Sequence, residues 1–171
     1  GVTSRWMVHK TTFAGSSEEQ ANAVQLWGFR GPLGAFFCIW GAFAMLASVP
    51  FDNWWHNAYG LDVAFLSPPH TVLMLGVLGI EFGAILFALA AQNRASAHDV
   101  ARYGYAYTFA IGVLIIMGSL ALYEYIGYAN EWHRSGFYRN TAVLFPFMLA
   151  GATRGARIKW PATTAAATYM G

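Results

Sequence analysis

Three stretches of this chain stay apolar for the thickness of a bilayer, and no other feature limits its fold as tightly. They cover about 31–49, 69–91 and 103–125. At 1.5 Å of rise per residue, about 20 such residues cross the hydrocarbon as one helix. Lipid offers the backbone no hydrogen bonds, so each segment must satisfy its own amides, which a helix does. A fourth, weaker run over about 140–153 is long enough only if it takes in Phe137 and Tyr138 and lets Arg154 and Arg157 snorkel. The sequence therefore predicts an all-α protein, a polytopic transmembrane helix bundle of about four spans.

Charge placement orients the bundle. Arg5, Lys10 and Arg30 precede the first span, Arg94 and Arg102 separate the second from the third, and Arg154, Arg157 and Lys159 follow the fourth. Of the ten basic residues, only Arg134 and Arg139 fall in the other two connections. The positive-inside rule puts the richer side in the cytoplasm. Residues 51–68 then face the opposite compartment, the periplasm if this is a bacterial inner membrane.

Composition agrees. Only 11% of residues are charged, against about 25% in a soluble domain, too few to coat a water-facing surface. Seven Trp and nine Tyr suit the headgroup level, where amphipathic rings gather. The single Cys38 excludes an internal disulfide. A net charge of +2 is too small and dispersed for a nucleic-acid partner. The expected partners are the bilayer itself, other membrane subunits or a second copy of the chain.

Outside the spans, Ser16-Ser17-Glu18-Glu19 has the spacing of a capping box. It predicts a short interfacial helix through Gln20, Val24 and Trp27 within a cytoplasmic segment 1–30. The transmembrane bundle occupies 31–159. Over 160–171, Pro161 followed by Ala and Thr reads as the first turn of a further helix or as a tail. That suggests a fragment of a larger bundle.

The connection between the first two spans carries the chemistry. It holds Asp52, His56, Asp62 and His70 but neither Lys nor Arg. Asp52 and His56 are four apart, so one helical turn sets them on the same face. Ser67-Pro68-Pro69 demands extended backbone and then starts the second span at once, with His70 in its first turn. Imidazoles and a carboxylate without a cation to pair them make the donor set a metal would use, with Asp52, His56 and His70 as ligands. Each also has a plainer use. Asp52 can cap a loop helix, His70 can bond to backbone, Asp62 can cap a turn, and Trp54 and Trp55 can anchor at the interface.

Accessory candidates are Asp62, Glu81, Glu124, Glu131 and His133. Glu81 lies three helical turns beyond His70 on nearly the same side, about 16 Å deeper, too far to share a ligand sphere. An acid inside a span is costly unless paired or protonated.

Around this connection the sequence resembles a metal-binding membrane subunit of the copper membrane monooxygenases, the particulate methane and ammonia monooxygenase family. Asp52, Trp55, His56, Asp62 and Pro68-Pro69-His70 follow the family's order over some twenty residues. Thirteen residues separate His56 from His70, one more than the family pattern, and Pro69 stands where the family has Ser. Uncharacterised bacterial multi-span membrane proteins share similar Asp-x-Trp-Trp-His and Ser-Pro-Pro-His elements.

The monooxygenase resemblance implies copper at Asp52, His56 and His70 and oxidation of a small apolar substrate or ammonia. The donor set alone also admits zinc or iron. A different reading is a non-catalytic membrane subunit that anchors or scaffolds a complex, using Gly76, Gly79 and Gly83 to admit a neighbouring helix. A bis-histidine haem protein, or a proton-coupled transporter working through Glu81 and Glu124, is a third.

Overall fold

The computed structural model describes residues 23–26, 29–61, 66–122 and 135–171. It contains a short antiparallel hairpin, β1 (Val24–Leu26) and β2 (Phe29–Gly31), followed by five helices. These are α1 (Leu33–Tyr59), α2 (Pro68–Arg94), α3 (Val100–Ala121), α4 (Ser135–Gly155) and α5 (Pro161–Met170). The helical bundle expected from the apolar runs is present. Three helices, α1 to α3, are long and apolar enough to cross a membrane, and the chain is an integral membrane protein. α4 begins at Ser135 and so takes in Phe137 and Tyr138, as its length required.

Two expectations need correction. Val24 does not lie in a helix: Val24, Gln25 and Leu26 pair with Gly31, Arg30 and Phe29. A partner strand satisfies amides there that a helix end would leave open. Ser16–Glu19 lie outside the described residues. Residues 51–59, expected in a connector, instead continue α1 without a break. Helix hydrogen bonding does not stop where hydropathy falls, and Pro50 is accommodated inside the helix. α1 stops at Gly60, whose φ of 87° takes the chain out of the helix while its N–H bonds to the His56 carbonyl at 3.0 Å. Asp52 therefore sits well inside a helix and caps nothing.

α1 and α2 pack closely through glycine. A Cβ placed on Gly41 would lie 2.5 Å from the Gly76 carbonyl oxygen, and one on Gly76 would lie 2.7 Å from that of Gly41. Gly34 and Gly83 face each other in the same way. The Gly76, Gly79 and Gly83 stripe is thus covered by α1 of the same chain, as small residues permit between membrane helices.

α3 is the most enclosed span. Its Tyr107, Ile111, Leu114 and Ile115 form the core with Ile85 of α2, Ala152 of α4 and Ala165 of α5. Hydroxyls within the spans bond back to carbonyls of their own helix, as Thr108 does to Gly104 and Ser119 to Ile115. Fully buried Gln92 joins three elements. Its Nε2 donates to the Gly155 carbonyl at 2.7 Å, and its Oε1 accepts the Arg157 N–H at 2.8 Å. The outward faces remain apolar: Leu46 is 74% exposed and Phe147 76%. Water would penalise such surface, whereas acyl chains solvate it.

Candidate functional site

The site is built at the end of the bundle where α1 passes into α2. Continuous helix from Leu33 carries Asp52 and His56 into its last two turns, one turn apart. Ser67 holds the extended conformation expected before proline, φ −67° and ψ 163°, and Pro68 and Pro69 open α2. His70 therefore sits in the first turn of α2, as the sequence predicts.

The three side chains meet. Asp52 Oδ1 lies 3.3 Å from His56 Nε2 and 3.5 Å from His70 Nε2. Each side chain is part-exposed, between 28% and 39%, yet Oδ1 itself is buried and has no hydrogen-bond partner. The neighbouring Ser67 Oγ, just before α2, is also buried without a hydrogen-bond partner. Aromatic residues flank Asp52 and His56 along α1. Phe51 stacks on Trp54, and Trp55 and Tyr59 have centroids 4.4 Å apart, at the level where such rings anchor to headgroups.

The hydrogen bond on the far side of His56 fixes its chemistry. Nδ1 lies 3.1 Å from the Gly60 carbonyl oxygen. A carbonyl only accepts, so Nδ1 carries the proton, and a neutral ring then presents its Nε2 lone pair towards Asp52. Two acceptors 3.3 Å apart repel unless a proton or a cation lies between them. Ligands held about 2.0–2.2 Å from one metal ion at tetrahedral angles are themselves about 3.3–3.6 Å apart. Donor chemistry, the unbonded carboxylate oxygen and these separations suit a cation. Even so, among the described residues no three His, Cys, Asp or Glu side chains form a group able to hold a metal ion. Asp52 acts as a hub for two contacts.

Of the accessory candidates, Glu81 is the one among the described residues, and it is not brought to this point. Glu81 lies three turns along α2, about 16 Å away by helical rise. It faces its own surroundings, with Oε2 buried and lacking a hydrogen-bond partner. Asp62, Glu124, Glu131 and His133 lie outside the described residues. Gly60, which orients His56, was not among the residues expected at the site. A glycine four residues after a helical histidine is a helix-stop signal that could have revealed it.

The fold and cluster define a polytopic helical membrane protein with a His/Asp group at one end of its spans. Comparison with protein-family models, curated proteins and solved structures finds no match.

Proposed function

We propose that this membrane protein binds a transition-metal cation at Asp52, His56 and His70, with copper the first choice. One observation carries the reading: a buried carboxylate oxygen, without a hydrogen bond, is faced by two imidazole nitrogens at 3.3 and 3.5 Å. His56 and His70 would supply neutral Nε2 donors and Asp52 a hard oxygen. The Gly60 carbonyl would hold the His56 ring in the required tautomer, as outer-shell acceptors commonly do.

Imidazole-rich sites bind copper more tightly than zinc or iron when geometry does not discriminate, and the monooxygenase resemblance favours the same metal. Bound copper would supply one-electron chemistry towards dioxygen. The finer proposal is oxidation of a small apolar molecule or ammonia, with the flanking aromatics admitting substrate from the lipid side.

The test is metal titration of purified, chelator-treated protein in detergent, read by equilibrium dialysis and electron paramagnetic resonance. One copper per chain is expected. His56→Ala and His70→Ala should weaken binding about tenfold or more, and Trp54→Ala should leave it unchanged. Equal copper content in all three variants would overturn the assignment.

A second reading, a non-catalytic subunit anchoring or scaffolding a complex, is favoured by the lack of a three-ligand group among the described residues. Partner proteins co-purifying with a metal-free cluster would support it.

A further inference from the structure

The opposite end of the bundle carries an independent feature. The start of α1, the end of α2 and the start of α3 line an open-sided cavity of about 780 Å³, within the usual range of volume for small-molecule sites. About 36 Å of helical rise separates Arg94 from His70, so this cavity is unrelated to the cluster above.

Its lining is divided. Leu33, Leu86, Phe87 and Leu89 form apolar wall, whereas Arg94 and Asp99 bring opposite charges. Arg94 is exposed at the last residue of α2. The Asp99 carboxylate accepts the Ser96 hydroxyl at 3.0 Å and lies 3.3 Å from His98 Nδ1, and its side chain remains 47% accessible. These charges stand where the spans end, at headgroup level, and the apolar wall continues along the spans.

We propose that this cavity holds one zwitterionic aminophospholipid of the phosphoethanolamine type. Its phosphate pairs with the Arg94 guanidinium, which suits tetrahedral oxyanions. Its primary ammonium donates to the Asp99 carboxylate, and an acyl chain covers the leucine and phenylalanine wall. An anionic headgroup would satisfy Arg94 but meet repulsion from Asp99. A choline headgroup lacks the N–H donors that Asp99 accepts, and its recognition calls for an aromatic cage. A free phosphate would leave the apolar wall uncovered.

The experiment reconstitutes the full chain in nanodiscs of equimolar phosphatidylethanolamine, phosphatidylcholine and phosphatidylglycerol, then reads retained lipid by native mass spectrometry. Phosphatidylethanolamine should be retained about tenfold over the other two, the size of one charge-assisted hydrogen bond. Asp99→Asn should bring ethanolamine and choline lipids to parity, and Arg94→Gln should reduce retention of both, with helical circular dichroism unchanged. Preferential retention of phosphatidylglycerol, no retained lipid, or an ethanolamine preference that survives both substitutions would overturn the proposal.

Discussion

Gly60 shows how one residue can control chemistry without taking part in it. Its φ of 87° and ψ of −174° fall in a region that only glycine occupies without strain. Its carbonyl accepts the His56 Nδ1 proton at 3.1 Å. A Cβ there would meet nothing within 4 Å, so Gly60→Ala acts through the backbone, at a cost on the order of 1–3 kcal/mol. The backbone then relaxes and withdraws the carbonyl from His56. On the proposed copper reading, the affinity of Gly60→Ala for copper should fall by about tenfold, while Leu61→Ala, at a residue 86% exposed, stays at the parent value. Unchanged affinity in Gly60→Ala would separate this carbonyl from the site. Residue types alone revealed Asp52, His56 and His70 as a candidate donor set. The hydrogen bond that sets the His56 tautomer depends on where α1 stops, which no count of residue types contains.

Among the elements, the α1–α2 pair depends on glycines whose added methyls would have nowhere to go. A Cβ on Gly41 would lie 2.5 Å from the Gly76 carbonyl oxygen and 2.8 Å from the Ile80 nitrogen, both backbone atoms, whereas one on Gly151 meets nothing within 4 Å. The same substitution should therefore act with opposite sign at the two positions. Gly41→Ala forces the helices apart, an overpacking cost of about 1–3 kcal/mol, and should lower the thermal midpoint in detergent. Gly151→Ala gains helix propensity of up to about 1 kcal/mol and should hold or raise it. Equal midpoints would show that the α1–α2 contact tolerates separation. The helices themselves were legible because apolar runs of bilayer length have few other folds. Their ends were less so: α1 continues through Asp52, Trp54 and Trp55 because backbone bonding ignores side-chain polarity until a stop residue arrives. Val24–Leu26 went to a strand because Phe29–Gly31 offered a partner, a contact that a capping pattern further upstream cannot foresee.

For the molecule as a whole, the alternation of basic and non-basic connections gives a vectorial prediction. In a Cys38→Ala background, a cysteine replacing exposed Leu61 should react with a membrane-impermeant maleimide from outside intact cells whose outer envelope is opened. A cysteine replacing Ala97, exposed in the α2–α3 turn, should react only after lysis. The reverse pattern would overturn the orientation drawn from charge. The three long apolar helices and their order could be read from the sequence because the solvent enforces them. The burial of Gln92 between α2 and the α4–α5 turn could not, since a lone polar residue near the end of an apolar run looks like any other boundary residue.

The overrun of α1 beyond its apolar stretch has a consequence for supply. Asp52 lies nineteen residues past Leu33, about 29 Å along the axis, near the far margin of a hydrocarbon layer about 30 Å thick. A cation held there, as the proposed metal site requires, would be drawn from the aqueous compartment on that side and need never enter the acyl region. In sealed proteoliposomes, loading would follow the composition of the bath facing that margin, and a chelator confined to the other bath would leave it untouched.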